Sequence, residues 1–142
     1  MTSMSMSRGG MWDVTSRVIV YAAIGAALYG VLLVGFFEAN AGSATGVNRE
    51  PFDLVTLFIA QLAWGGILTL AIGWKGDSTP VAGLKTGATA GALFFLGLDL
   101  TLYATTNLSN LIGSLADALV ATVLFGVAGA LIAVVAGKKA TG

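Results

Sequence analysis

Two reactive residue types are missing from this sequence, which contains no cysteine and no histidine. Their absence excludes disulfide bonds, thiolate nucleophiles, zinc sites built from these residues, histidine-ligated haem and the usual general base. We therefore predict no metal site and no cofactor, and we predict that the protein is not an enzyme. An intramembrane enzyme based on an aspartate pair is a weaker alternative, because the chain has no GxGD-type signature.

Charge is also scarce, since charged residues make up only 10% of the 142 residues, whereas soluble domains carry about 25%. The seven basic and seven acidic residues balance, so a nucleic-acid partner has no electrostatic basis. Hydrophobic residues reach 56% and the mean hydropathy is +0.89. The composition indicates a membrane protein whose main partner is the lipid bilayer.

Four long apolar stretches follow one another along the chain. A stretch of about 20 apolar residues crosses a bilayer, and we predict spans at about 18–37, 52–72, 81–104 and 111–136. The predicted fold is an all-α integral membrane four-helix bundle in a single domain, 17–137. A disordered tail, 1–16, precedes this domain, and a C-terminal tail, 138–142, follows it.

Two other interpretations of the apolar stretches are weaker. The first stretch resembles a signal peptide with cleavage near Ala39-Asn40-Ala41, but it is longer than the 7–15 residues of a signal h-region. A soluble helical core is disfavoured because too few polar positions remain to cover a wet surface.

The basic residues predict the orientation of the four spans. In a four-span arrangement one side of the membrane carries Arg8, Arg17, Lys75, Lys85, Lys138 and Lys139, and the other side carries Arg49. The positive-inside rule then places both termini in the cytoplasm. We predict a multi-pass protein of the inner (plasma) membrane.

Two aspartates, Asp99 and Asp117, lie inside the third and fourth predicted spans, equally far from Leu108 in the intervening loop. An antiparallel hairpin brings them to the same depth, on the order of 10 Å below the ends of their helices. Helical periodicity places both on inward faces. With Tyr29 and Gln61 from the first two spans, they form a candidate polar cluster.

The two aspartates allow different interpretations. Intramembrane acids are functional candidates by default, and this pair would form a proton or cation site open to the outside. Alternatively, protonated Asp99 and Asp117 hydrogen-bond each other, Tyr29 or the turn at 105–107, and so lock the hairpin. A third alternative is a partly wet position near the interface.

Small residues form a second pattern. Gly83, Gly87 and Gly91 make a double GxxxG stripe, and Ala121 and Ala128 recur on the inward face of the fourth span. Small residues let membrane helices approach closely. We interpret all five as helix-packing residues inside the bundle; a homodimer face is the alternative for the glycine stripe.

Several segments together resemble a family of small four-helix bacterial inner-membrane proteins of unknown function. They are YGVLLVGFFEANAGSATGV, LKTGATAG, DLTLYATTNLSNL and LADALVATV. The resemblance implies an inner-membrane protein and carries over no catalytic residue.

The sequence favours one function and leaves a second as the alternative. The first is a non-enzymatic packing protein, which acts as a homo-oligomer or as an accessory subunit of a larger membrane complex. The second is a small proton- or cation-coupled carrier or channel that uses Asp99 and Asp117. Small multidrug carriers have a similar size, but they place an essential glutamate in helix one, where this sequence has no acid.

Overall fold

The structure is a computed structural model that describes Ser16, Ile19, residues 21–47 and residues 51–140, without the side chains of 138–140. The helices within this part are α1 (Tyr21–Leu32), α2 (Val34–Ala39), α3 (Leu54–Lys75), α4 (Pro80–Thr105) and α5 (Leu111–Ala140). Of the tail predicted at 1–16, only Ser16 lies within the described residues, and it is helical.

Three of these helices, α3, α4 and α5, are long and apolar enough to cross a membrane. They overlap the predicted spans 52–72, 81–104 and 111–136, and α5 extends beyond the predicted end through Lys138 and Lys139. The protein is therefore an all-helical membrane protein in the part that the structure describes.

The first predicted span, 18–37, is not one continuous α-helix. Its last turn in α1 is a π-helix, Leu28–Leu32, in which the Leu33 amide donates to the Leu28 carbonyl at 2.9 Å. Leu33 then leaves helical geometry before α2 begins. Gly30 and Gly35 flank this break, and a glycine weakens a helix interior by about 1 kcal/mol relative to alanine. The break thus lies between two residues with a low intrinsic helix preference.

Local signals set the ends of the long helices. The Asp53 carboxylate accepts the Thr56 amide at 3.0 Å at the start of α3, and this hydrogen bond holds the pKa of Asp53 below its usual range. Gly76 ends α3 at a φ of 71°, which glycine adopts without strain. Thr79 caps α4, whose first residue is Pro80.

Helices α4 and α5 form the closest pair, and glycines make this approach possible. Gly83, Gly87 and Gly91 are buried against α5. A Cβ added at Gly87 would collide with the Phe125 carbonyl group and would lie 3.3 Å from the Gly126 Cα. The two backbones are therefore in direct contact, as small-residue stripes allow.

Around this hairpin, α1 and α3 supply the rest of the core. Phe125 of α5 is 1% exposed and contacts the Tyr21 ring edge-on at a centroid distance of 5.4 Å. Phe95 of α4 stacks obliquely on Trp64 of α3 at 5.3 Å and meets Phe125 at 5.6 Å. Aromatic rings thus connect α1, α3, α4 and α5 in one cluster.

Candidate functional site

One end of the helical domain contains a cavity of about 1000 Å³, which we call the acidic cavity. It lies beneath the connection between α4 and α5 and beneath the segment that follows α2. Three carboxyl groups line it, from Glu38, Asp99 and Asp117, together with the rings of Tyr29 and Phe37. The remaining lining is mostly small or aliphatic.

Two loops cross over this cavity and are joined by main-chain hydrogen bonds, which we call the loop clasp. The Gly42 amide donates to the Leu108 carbonyl at 2.9 Å, and the Ala44 amide donates to the Asn107 carbonyl at 3.0 Å. A Cβ at Gly42 would meet the Asn107 main chain and would lie 2.9 Å from the Leu108 carbonyl carbon. The close crossing therefore requires glycine at position 42.

Two asparagines extend the clasp to the start of α5. The Asn40 carbonyl accepts the Asn110 amide at 3.1 Å, and the Asn40 side-chain oxygen accepts the Asn110 side-chain amide at 3.1 Å. The Asn110 side-chain oxygen in turn accepts the Gly113 amide at 2.8 Å, which caps α5. The Asn110 side chain thus caps α5 and also binds the loop that contains Asn40.

Asp99 is the most unusual side chain of the cavity. It is 7% exposed, and its Oδ2 atom is fully buried without a hydrogen-bond partner among the described residues. A buried polar atom without a partner is costly, so native structures contain few of them. The carboxyl of Asp117 faces that of Asp99 across the α4–α5 contact, within hydrogen-bond reach when one of the two is protonated.

Tyr29 reaches the same place from α1. It lies in the π-helical turn, and its hydroxyl donates to the main-chain carbonyl of Asp117 at 3.5 Å, which is at the long limit for a hydrogen bond. Its ring stacks on that of Phe37 at a centroid distance of 5.5 Å and an angle of 25°. The π-helical turn and the break after it put both rings on the cavity wall. Isolated π-turns are frequent at functional sites.

The structure brings together three of the four residues of the predicted polar cluster. Asp99, Asp117 and Tyr29 all line the acidic cavity, whereas Gln61 does not. Gln61 is half-buried on α3, which contributes no residue to the lining. The predicted packing residues lie at helix contacts: Gly83, Gly87 and Gly91 are buried on α4, and Ala121 and Ala128 are buried on α5.

Several cavity residues were absent from the predicted cluster. Glu38 and Phe37 belong to α2, and their position depends on the break at Leu33, which nothing in the hydrophobic pattern indicates. Ser114 is 3% exposed, and its hydroxyl lies 2.7 Å from that of Ser109. A signal for Ser114 does exist, because it shares the helical face of Asp117.

The ionisable side chains of the cavity include three carboxyl groups and, among the described residues, no basic group. No lysine or arginine lines it among the described residues, so its three carboxyl groups face no basic side chain there. Within the same residues, no group of three acidic side chains converges closely enough to hold a metal ion. The arrangement is suited to a species that brings positive charge and hydrogen-bond donors.

Comparisons with protein-family models, curated proteins and solved structures give no match to this chain. The resemblance noted from the sequence therefore stays a prediction.

Proposed function

We propose that the protein is a small proton- or cation-coupled carrier or channel of the inner membrane, with Asp99 and Asp117 as its cation site. The buried Asp99 carboxyl carries the proposal, because it faces the carboxyl of Asp117 and no basic side chain lines the cavity among the described residues. A carboxyl group in such a setting binds a proton or a cation, or it contacts water. The adjacent cavity of about 1000 Å³ supplies the space for a cation or for water.

The proposed topology has four crossings, with α1 and α2 together as the first. Residues 21–39 reach about 28 Å at a helical rise of 1.5 Å per residue, close to the thickness of the hydrocarbon core. Lys75 and Lys85 lie at the end of the bundle opposite the loop clasp. By the positive-inside rule this end is cytoplasmic, and the acidic cavity then belongs to the outer side.

A second candidate function is favoured by the exposure of α3. Only 17% of its most apolar window is buried, and one end presents large apolar side chains to the surroundings: Leu54, Val55, Leu57, Phe58 and Ile59. Lipid covers such a surface in a monomer. In an oligomer or a larger complex a partner helix would cover it, and the protein would then act through packing.

Neutral, nearly isosteric substitutions separate the two functions. Asp99→Asn and Asp117→Asn, singly and together, are compared with wild type in proteoliposomes that contain a pH-sensitive dye. Asp77→Asn is the matched control, because Asp77 lies in the α3–α4 turn, where its carboxylate accepts the Thr86 hydroxyl at 2.5 Å. We expect folded cavity variants with no pH-dependent cation flux, and a control that retains it.

Other outcomes would favour the packing function or contradict the carrier proposal. If wild type shows no flux and the asparagine variants lose thermal stability, the carboxyl pair locks the α4–α5 hairpin and the packing function is favoured. If the double variant retains full flux, the carrier proposal is wrong.

A further variant, Arg49→Gln, tests the basic residue that is nearest in sequence to the loop clasp. Arg49 lies outside the described residues. We expect undiminished flux, and a loss would mean that Arg49 belongs to the site.

A further inference from the structure

The acidic cavity is much larger than an inorganic ion. A water molecule in the liquid occupies about 30 Å³, whereas the cavity measures about 1000 Å³. Small-molecule pockets in proteins cover a range of about 300–1,000 Å³. The space therefore corresponds to an organic molecule, or to one with several accompanying waters.

The chemistry of the wall divides into two parts. The first part is acidic, with Asp99 and Asp117 at the α4–α5 contact. Because both residues line the cavity and no basic side chain lines it among the described residues, a cationic N–H donor in the cavity would meet acidic groups without a competing cation. A charge-assisted hydrogen bond of this kind is roughly twice as strong as a neutral one.

The second part of the wall is aromatic and aliphatic. The stacked rings of Tyr29 and Phe37 line the cavity beside Val34 and Leu102. Aromatic rings attract cations that lie within about 6 Å of the ring centroid, and they also pack against carbon substituents. A fully hydrated inorganic cation would gain little from this part of the wall.

We propose, on the premise of the cation site above, that its occupant is a small organic ammonium ion. Its nitrogen pairs with the carboxyl groups of Asp99 and Asp117, and its carbon substituents lie against Tyr29 and Phe37. This assignment gives the substrate class of the proposed carrier. It accounts for the acidity and the aromatic lining with one ligand, and accompanying waters fill the rest of the volume, whereas a bare ion accounts for the acidity alone.

Binding of benzylammonium tests the assignment in the purified full-length protein in lipid nanodiscs, by isothermal calorimetry and by ligand-observed NMR. Benzyl alcohol is the uncharged analogue, and sodium, potassium and calcium are the inorganic alternatives. We expect saturable binding of benzylammonium, at least about ten-fold weaker binding of benzyl alcohol, and loss of benzylammonium binding in Asp99→Asn.

Aromatic variants test the second part of the wall. Phe37→Leu keeps an apolar side chain but removes a ring, and we expect it to weaken benzylammonium binding about five-fold or more. Phe94→Leu is the matched control, because Phe94 lines a separate apolar pocket beside Trp64. Its affinity for benzylammonium should equal that of wild type.

The failures of the two proposals are distinguishable. If the protein binds protons or an inorganic cation through Asp99 but ignores benzylammonium, the ammonium assignment is wrong and the cation site stands. Equal binding of benzyl alcohol, or equal weakening by Phe37→Leu and Phe94→Leu, also overturns the assignment. If no cation binds and Asp99→Asn changes nothing, both proposals fail.

Discussion

The contact between α4 and α5 makes a quantitative prediction about Gly87. An added Cβ would lie 2.8 Å from the Phe125 carbonyl carbon and closer still to its oxygen. Both obstacles are main-chain atoms, so no side chain can rotate away. Because the carbonyl oxygen is the nearer obstacle, restoring ordinary van der Waals contact requires the helices to separate by more than about 1 Å.

This separation has an energetic cost along the whole hairpin. A gap of 0.5–1 Å forfeits roughly a quarter to a half of the dispersion attraction between facing atoms. Overpacking of a tight interior typically costs about 1–3 kcal/mol. We therefore expect Gly87→Ala to lower the free energy of unfolding by this amount, although alanine is the better helix former.

Gly97 is the matched control, because it lies on the same helix and an added Cβ there meets no atom within 4 Å. Gly97→Ala should leave the free energy of unfolding unchanged or raise it by up to about 1 kcal/mol, because alanine is the better helix former. Both variants are compared with wild type by reversible unfolding in mixed micelles, followed by circular dichroism. Equal stability of the two variants would refute the backbone contact between α4 and α5.

Three further predictions concern the clasp, the aromatic core and the start of α3. Gly42→Ala should break the loop clasp and speed amide hydrogen exchange at Ala44, whereas unchanged exchange would contradict the crossing. Phe125→Ala should destabilise the protein by about 3–5 kcal/mol, measured by unfolding in mixed micelles; a loss below about 1 kcal/mol would mean that the cluster is loosely packed. At the start of α3, the hydrogen bond from the Thr56 amide lowers the pKa of the Asp53 carboxyl. The stabilisation from this cap is therefore complete above the pKa that Asp53 has in the unfolded chain. It should disappear as the pH falls through the depressed value. An NMR titration of the carboxyl carbon with an ordinary midpoint would contradict this.

The long helices were predictable because they follow from hydrophobic length alone. Pro80 and Gly76 add conventional start and stop signals. The break at Leu33 was not predictable, since the apolar pattern continues through it from Tyr21 to Phe37. A π-helical turn adds a residue to a helical turn and leaves no signature in composition.

The candidate site was predictable where helical periodicity governs it. Asp99 and Asp117 meet because an antiparallel hairpin with its turn near Leu108 brings them together. Gln61 illustrates the limit, because periodicity assigns a residue to a face without fixing which neighbour that face meets. Glu38 and the clasp depend on loop contacts distant in sequence, which a single sequence does not encode in any local pattern.

The loop clasp restricts how the wall of the acidic cavity can move. It ties the chain just after α2 to the start of α5, while at the other end of α1 the Tyr21 ring is held against Phe125. An element pinned at both ends resists sliding along its neighbour. Movement of α1 and α2 away from the cavity would therefore require bending at 28–33, and stiffening this joint would slow exchange of the cavity contents without altering the carboxyl pair.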